Sequence, residues 1–283
     1  MDVRRRLREA KGLTPTESQL ASAVLAMGER IQTTSIKELA AASATSIATV
    51  HRLCKKLGLE GFKELKVELA RATARREDAE GVDFDFPFDE GWGPERVCGG
   101  LKSLYAGAIE ETLEVLDLAE LGRAADLLRE ASVVDLYTQS HNLYPAQMFT
   151  DRLLSAGRAA TCHESQERQV RSALTSDGTH VAVAITYSGV NEILAQVLPL
   201  LAARSTPVVL IGAPMARDRN PGLDVYLMVG DSESTLHRIT QFASHISVQF
   251  VLDALYSCVV AGDYERSMAF IRDSLPYTRK PGL

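Results

Sequence analysis

This sequence of 283 residues lacks several features that mark common classes of metalloprotein and redox protein. Its four cysteines are far apart, and none belongs to a CxxC pair. Structural zinc sites and dithiol redox centres need closely spaced cysteines, so we predict neither a metal site nor a redox pair. We interpret the four as free thiols and predict no cofactor. They are Cys54, Cys98, Cys162 and Cys258.

Long apolar runs are also missing. A membrane-spanning helix needs a run of about 18 or more apolar residues, and the sequence has none. The N-terminus, residues 1–8, is basic but lacks the apolar stretch of a signal peptide. These absences predict a cytoplasmic protein.

Charge is divided unequally along the chain, although the whole chain has a formal net charge of −6. Residues 1–76 contain 15 Lys and Arg against 8 Asp and Glu, a net charge of +7. The remaining residues contain 16 against 29, a net charge of −13. A basic head on an acidic body favours DNA binding by the head alone.

Apolar spacing in the head predicts four helices, over residues 16–30, 35–42, 46–57 and 61–75. Thr16 is the expected cap of the first helix, and Gly58 is the expected C-cap glycine of the third. The second and third helices are joined by a tight turn. Two short helices joined in this way are typical of a helix-turn-helix, whose second helix enters the DNA major groove.

The third predicted helix has the features of a recognition helix. Ser46 can cap its first turn, and Ile47, Val50, Leu53 and Leu57 fall on one apolar face. The other faces carry polar and basic side chains that can bond base edges or phosphates. The alternative is a plain helical bundle with a solvated charged face. The predicted DNA contacts are Ser46, Thr49, His51, Arg52, Lys55 and Lys56.

Residues 77–94 are rich in glycine, proline and acidic residues and break every periodic pattern. We interpret them as a linker between a head of residues 1–76 and a body of residues 95–283. In the body, two helices over 95–131 precede short apolar runs that alternate with helices. This order predicts an α/β fold with a parallel sheet. The runs are 133–137, 159–162, 181–185, 208–211 and 225–228, and the later helices are 143–156, 165–175, 191–203, 234–261 and 264–274.

Two polar segments follow predicted strands, where a ligand of a parallel α/β sheet binds. Residues 138–142 read Thr-Gln-Ser-His-Asn, and residues 186–191 read Thr-Tyr-Ser-Gly-Val-Asn before a helix. Hydroxyl groups, a glycine and the free N–H groups of a helix start can hold an anion such as phosphate. The alternative for each segment is an ordinary turn that caps the next helix.

The motifs of the head resemble those of the RpiR-type bacterial transcriptional regulators. Residues 13–17 resemble the opening L-T-x-x-E of that family, and residues 35–40 match S-I-x-E-L-A. Residues 46–58 match S-x-A-T-V-x-R-x-x-K-x-L-G, and residues 61–66 match G-F-x-E-L-K. The resemblance implies a C-terminal sugar isomerase (SIS) domain with a five-stranded parallel sheet flanked by helices.

The resemblance also assigns ligand-binding residues in the body. Residues 185–191 resemble I-S-x-S-G-x-T, the SIS loop that grips the phosphate of a phosphosugar, and Asn191 replaces the final threonine. The family's G-x-G-x-S loop corresponds to residues 138–142, in which both glycines are replaced; Ser140 or Asn142 takes the place of its serine, depending on the alignment. The implied ligand contacts are Ser140, Asn142, Thr186, Ser188, Gly189 and Asn191.

The resemblance implies a ligand-responsive regulator that binds a palindromic operator as a homo-oligomer, a dimer or tetramer, assembled chiefly through the body. Its effector is a sugar phosphate or a related small anion. One alternative is a sugar-phosphate isomerase in which Glu192 and His141 form the acid–base pair. Another is a body used only for assembly. His237 and His245, two helical turns apart, are interpreted as core or interface residues, so no catalytic or metal-binding residue is predicted.

Overall fold

The computed structural model describes residues 3, 6, 7, 13–78 and 82–278. Within residues 13–78 of the head, four α-helices are described. They are α1 (Pro15–Met27), followed by a 3-10 helix (Gly28–Gln32), then α2 (Ile36–Ala42), α3 (Ile47–Lys56) and α4 (Phe62–Asp78). Their apolar faces meet in one core that includes Leu20, Leu39, Val50 and Leu65. The four predicted helices are therefore confirmed.

Capping side chains fix where these helices begin. Ser35 accepts a hydrogen bond from the backbone N–H of Glu38, and the Glu38 carboxylate accepts one from the Ser35 N–H. This reciprocal capping box satisfies two backbone donors at the start of α2. Gly58 follows α3 with a φ of +71°, the left-handed conformation expected of a C-terminal glycine.

The predicted cap of α1 was wrong by two residues. Pro15, not Thr16, begins the helix, since a proline at the first helical position loses no intrahelical hydrogen bond. The cap is therefore Thr14, whose hydroxyl accepts from the N–H of Glu17 at 3.3 Å. The Glu17 carboxylate accepts in turn from the Thr14 N–H at 2.8 Å.

The rest of the chain alternates helices and strands. The helices are α5 (Pro94–Val115), α6 (Leu118–Glu130), α7 (Leu143–Ser155), α8 (Gln166–Thr175), α9 (Glu192–Ala203), α10 (Pro214–Arg219), α11 (Ala243–Gly262) and α12 (Tyr264–Thr278). The strands are β1 (Val133–Tyr137), β2 (Ala160–Cys162), β3 (His180–Ile185), β4 (Val208–Gly212) and β5 (Val225–Met228), and a 3-10 turn (Ser140–Asn142) precedes α7.

The five strands form one parallel sheet in the order β2-β1-β3-β4-β5. In register, Val133 of β1 lies beside His180 of β3, and Tyr137 lies beside Ala184. The chain passes from β1 to β2 on one side and then returns to β3 on the other side of β1. The direction of winding therefore reverses between β1 and β3. The predicted five-stranded parallel α/β sheet is confirmed.

Alternate residues of each strand pack into different cores. Val181, Val183 and Ile185 of β3 face a core with α6, α7 and α11. Ala182 and Ala184 face the opposite core with α8 and α9, where the small side chains leave room for helices to approach closely. The result is a sheet covered by helices on both faces, as parallel sheets require.

The predicted helix over residues 234–261 begins only at Ala243, so its first nine residues were assigned wrongly. Residues 231–242 form bends and irregular backbone. The Ser234 hydroxyl accepts from the N–H of Leu236 at 3.3 Å and of His237 at 3.0 Å. A side chain that bonds nearby backbone in this way competes with helix formation. The short helix α10 was not predicted.

Helix α11 is long and apolar enough to cross a membrane if length and composition alone are considered. A core helix meets the same criteria. Val248, Val251 and Leu255 of α11 are fully buried in the core beneath the sheet. Their burial identifies α11 as a core helix in this structure.

All four cysteines are free, as predicted. Burial raises the pKa of the Cys54 and Cys162 thiols to about 11, so both remain protonated and unreactive at neutral pH. Among residues 13–78 and 82–278, no three His, Cys, Asp or Glu side chains lie close enough together to hold a metal ion.

The chain divides into two compact units. The first contains Met1–Gly107 with Asp231–Thr240, and the second contains Ala108–Gly230 with Gln241–Leu283. Within the first unit, buried Asp85 accepts hydrogen bonds from Ser234 and Ile239, so the 82–93 segment is tied to the 231–240 segment. The boundaries at residues 76 and 95 stay a prediction, and residues 79–81 of the predicted linker lie outside the described residues.

Candidate functional site: a recognition helix and two loops at the sheet edge

Helix α3 presents a polar face to solvent. Ser46 caps it by accepting from the N–H of Thr49 at 3.1 Å. His51, Arg52 and Lys55 are exposed, whereas Val50 and Leu53 are fully buried. The exposed cations leave this face available to a polyanion.

Thr49 is not on the exposed face, contrary to the sequence interpretation. Its side chain is only 4% exposed. Its hydroxyl lies 3.0 Å from the Ser46 hydroxyl and accepts from the Arg52 guanidinium at 3.2 Å. The helix turns Thr49 toward the core, so this hydroxyl orients Ser46 and Arg52. Its contact with DNA stays an untested prediction.

Lys56 is bonded within the head. Its ammonium lies 2.7 Å from the Glu17 carboxylate, which joins the end of α3 to the start of α1. The hydrogen bond from Lys56, supported by the Thr14 backbone, lowers the pKa of Glu17 to about 2. Lys56 is exposed, but its charge is already paired with a carboxylate. The geometry therefore gives Lys56 a structural role in addition to the predicted DNA contact.

The apolar pattern concealed two exposed residues at the start of α3. Ile47 was predicted on the apolar face, but it is 39% exposed, and Ala48 beside it is also exposed. The first residues of a recognition helix reach base edges in helix-turn-helix proteins. Small and apolar side chains can contact the thymine methyl group. Only the packing of α3 against α1 and α2 distinguishes Ile47 from the buried residues.

The sheet brings the two predicted loops together. Residues 138–142 follow β1 and residues 186–191 follow β3, and β1 and β3 are neighbours. The winding of the sheet reverses between these strands, which is where ligands of such sheets bind. Thr138 links the two strand ends directly, because its hydroxyl donates to the Ile185 carbonyl at 2.9 Å.

The second loop holds its polar groups in local hydrogen bonds. The Thr186 hydroxyl accepts from the Gly189 N–H at 3.1 Å, and the Ser188 hydroxyl accepts from the Val190 N–H at 3.3 Å. Both hydroxyls act as acceptors here, so their own protons remain available to an anion. Asn191 caps α9 by accepting from the N–H of Ile193 at 2.9 Å.

The first loop is arranged differently. Gln169 of α8 bonds both backbone groups of Thr138, accepting from its N–H at 3.1 Å and donating to its carbonyl at 2.8 Å. Ser140 is exposed with a φ of +57°, a conformation uncommon for residues other than glycine. Asn142 is half-buried at the start of α7, and its side chain does not cap that helix. Both residues lie in the 3-10 turn after β1.

The two residues of the isomerase alternative's acid–base pair are not bonded to each other. His141 and Glu192 are both exposed, and neither side chain has a hydrogen-bond or ion-pair partner among the described residues. Glu192 is the first residue of α9, where a negative charge is favourable next to the helix dipole.

A separate polar cluster beneath α8 was not predicted. The buried Asp135 carboxylate lies 2.7 Å from a His180 ring nitrogen and accepts from the hydroxyls of Thr161 and Ser172 at 2.6 and 3.1 Å. These groups line an open cleft with Arg168 and other residues. Both Asp135 oxygens already have partners, so the cluster satisfies a buried charge within the fold.

The sequence of the head settles the family of that domain. Residues 1–76 match the helix-turn-helix domain of the rpiR family. The head is a helix-turn-helix domain of the rpiR family. This confirms the resemblance that its motifs had indicated.

Curated relatives resemble this chain over nearly its whole length. An uncharacterised HTH-type transcriptional regulator of Caldanaerobacter subterraneus subsp. tengcongensis is 28% identical over 281 residues, covering 96% of this chain and 95% of the relative. The regulator HexR of Pseudomonas aeruginosa is 26% identical over 275 residues, covering 95% and 93%. Both relatives are named as transcriptional regulators.

Solved structures share the fold of this chain. The NanR protein of Vibrio vulnificus, solved in complex with ManNAc-6P, aligns with a TM-score of 0.57 and 19% identity, covering 98% of this chain and all of that one. The sugar isomerase domain of an RpiR transcription factor from Sphaerobacter thermophilus aligns with a TM-score of 0.53 and 15% identity, covering 61% and 94%. The predicted SIS fold of the body is confirmed.

Proposed function

We propose that this chain is a cytoplasmic, ligand-responsive regulator that binds operator DNA through its head and a sugar phosphate or related small anion through its SIS domain. We assign residues 1–76 to the head, 77–94 to the linker and 95–283 to the SIS domain. The observation that carries the proposal is the convergence of residues 138–142 and 186–191 at the point where the sheet reverses its winding.

Phosphate is the favoured group at this place because of the hydrogen-bond donors around it. Residues 77–283 carry a net charge of −13, which repels anions over long distances. A bound anion therefore needs close donors, and the Thr186 and Ser188 hydroxyls with the start of α9 supply them. Ser140, Asn142, Gly189 and Asn191 complete the proposed contact set.

For the head, we propose that Ser46, His51, Arg52 and Lys55 contact the operator, with Thr49 and Lys56 acting at least partly through them. Arg52 and Lys55 are exposed and carry the positive charge that phosphate contacts require. Two heads on a palindrome sit about 34 Å apart, so operator binding requires a dimer or larger assembly.

We place the subunit contact in the SIS domain. Tyr144 and Met148 lie one turn apart on α7 and are 71% and 48% exposed. Exposed apolar residues on one helix face favour contact with a second copy. Charge substitution of both residues is expected to release monomers, as measured by sedimentation velocity. The control is charge reversal of Glu192 and Arg204, which are exposed at the two ends of α9. This control variant is expected to keep the assembly.

Two experiments test the proposal. In a thermal-shift screen of sugar phosphates, including ManNAc-6P, an effector is expected to raise the melting temperature because it binds the native state. Binding to promoter fragments is expected to weaken steeply with salt, as counterion release requires. A flat response to every sugar phosphate contradicts ligand sensing, and salt-insensitive or absent DNA binding contradicts the regulator.

We infer that the chain is not an isomerase, since the side chains of His141 and Glu192, in and beside the proposed ligand loops, are both exposed and have no hydrogen-bond or ion-pair partner among the described residues. Purified protein incubated with aldose and ketose phosphates is expected to give no interconversion. Turnover that Glu192→Gln or His141→Ala abolishes would overturn this inference.

A further inference from the structure

One side of the 186–191 loop is bonded to the segment that follows β4. The Arg219 guanidinium, at the end of α10, donates to the Ser188 carbonyl. The Asn220 side-chain amide donates to the Gly189 carbonyl at 3.3 Å and to the Ala216 carbonyl at 2.9 Å. Two consecutive carbonyl groups of the loop are thus held by two neighbouring residues.

The same segment packs tightly against the loop at Gly189. Gly189 has a φ of +75°, and a Cβ atom placed there would lie 2.7 Å from the Ala216 Cα atom. Only glycine combines this backbone conformation with so close an approach. The loop therefore rests directly on the backbone of α10.

Because the peptide plane is rigid, these contacts also determine which way the N–H groups of the loop point. A trans peptide directs its carbonyl and its N–H in opposite directions. When α10 binds the Ser188 and Gly189 carbonyls, the N–H groups of Gly189 and Val190 must point away from α10. The Thr186 and Ser188 hydroxyls lie on that far side, since they accept from those two N–H groups.

We propose that Arg219 and Asn220 are positioning residues that hold the loop as an anion cradle, with its carbonyls toward α10 and its donors toward the ligand. This inference rests on the proposed function for the identity of the ligand. When a phosphate group enters, the Gly189 and Val190 N–H groups transfer from the two hydroxyl oxygens to phosphate oxygens, and the hydroxyls donate as well. Arg219 also places a positive charge beside the loop of a domain with more acidic than basic residues.

The cradle is preformed, so little ordering is required when the ligand binds. We call Arg219 and Asn220 the clamp residues. Replacing either one frees a peptide plane to rotate, which can turn a carbonyl dipole toward the anion. Removal of one such hydrogen bond is expected to weaken phosphate binding about tenfold.

The first test compares affinity in Arg219→Ala, Asn220→Ala and the control Arg217→Ala. Arg217 is on the same helix and exposed, but its guanidinium lies over the Tyr226 ring, 5.2 Å from the centroid. Calorimetric titration uses inorganic phosphate and a panel of hexose 6-phosphates. We expect about tenfold weaker binding in the two clamp variants, wild-type binding in the control, and partial recovery in Arg219→Lys, with melting temperatures close to wild type.

Equal binding by wild type and clamp variants overturns the inference and leaves ligand sensing intact. Failure of the wild type to bind any phosphate compound overturns both the cradle and the proposed function. A loss of affinity that only follows a general loss of melting temperature, with no recovery by lysine, also overturns the positioning role.

A second test needs no ligand. Hydrogen exchange in the free protein is expected to quicken at the Gly189 and Val190 amides of both clamp variants, because the peptide planes are no longer fixed. Exchange elsewhere in the SIS domain and in Arg217→Ala is expected to match wild type. Unchanged exchange at the two amides overturns the clamp, whatever the titrations give.

Discussion

The head and the SIS domain use polar groups in opposite ways. Arg52 and Lys55 of α3 are exposed and can contact a partner directly. In the loop after β3, the hydroxyls of Thr186 and Ser188 are bonded to the loop itself. A large polyanion can bind to an open, positively charged surface. A small anion needs hydrogen-bond donors whose positions are fixed before it binds. The predictions below test this contrast.

The largest effect is expected in the core of the head. Leu53 of α3 is completely buried, so Leu53→Ala is expected to destabilise the head by about 2–5 kcal/mol through lost burial and a cavity. Denaturant unfolding followed by helix content measures this change. Ile47→Ala, on the exposed side of the same helix, is the control and is expected to change stability by no more than about 0.5 kcal/mol. DNA binding is expected to fail in Leu53→Ala while any ligand-induced thermal shift remains. Loss of both DNA binding and the ligand-induced thermal shift in Leu53→Ala would contradict the independence of the two domains that this contrast assumes.

The next effect separates backbone strain from packing in the SIS domain. Gly189 and Gly222 have similar φ values of +75° and +80°, but the space beside Gly222 is open. Alanine at either position is expected to cost about 1–2 kcal/mol for the left-handed backbone. Gly189→Ala should lose about 1–3 kcal/mol more because its new methyl group meets the Ala216 backbone. Urea unfolding compares the two variants. Equal costs would show that α10 does not constrain the loop.

Alanine substitutions of three basic residues of the head are expected to have different effects on DNA binding. Arg52→Ala should cost about 1–3 kcal/mol of binding if it reads a base, and Lys55→Ala should reduce the salt dependence by about one counterion. Lys56→Ala should chiefly lower the stability of the head, since its ammonium is bonded to Glu17. Fluorescence anisotropy with labelled DNA at several salt concentrations makes the comparison. Equal effects of Lys55→Ala and Lys56→Ala on the salt dependence would contradict the distinction.

The smallest expected effect is the acid response of the head. Glu17 has a pKa of about 2 in the folded protein and an ordinary value of 4.5. A lowered carboxyl pKa stabilises the folded state above the ordinary value, and this contribution disappears as pH falls from 4.5 toward 2. Wild type should therefore exceed Glu17→Gln in stability at pH 7, and the difference should close below pH 4.5.

Unfolding at pH 7, 4.5 and 2.5 tests this prediction. The double variant with Lys56→Ala is the control, because each substitution should matter less when the other is already present. A stability difference that is as large at pH 2.5 as at pH 7 would mean that Glu17 acts by packing and not by charge.

The fold was predictable to the extent that it depends on local patterns. The runs at 133–137 and 225–228 coincide with β1 and β5, and Ser35, Ser46 and Gly58 mark helix ends as expected. These features depend on neighbouring residues, whose spacing is visible in the sequence. The beginning of α11 was misjudged because Ser234 bonds the local backbone and residues 82–93 pair with this segment through Asp85. No periodic pattern records such a contact across 149 residues.

The sequence by itself determined the charge division, the helix-turn-helix and the two polar loops after strands, since each is a property of consecutive residues. Only the tertiary structure decided that Thr49 is buried, that Lys56 joins Glu17, and that Arg219 and Asn220 hold the loop after β3. It also decided that the two loops are neighbours, because strand order depends on pairing between distant segments. Local preference sets the elements, whereas burial and pairing across the chain set which side chains remain available to a ligand.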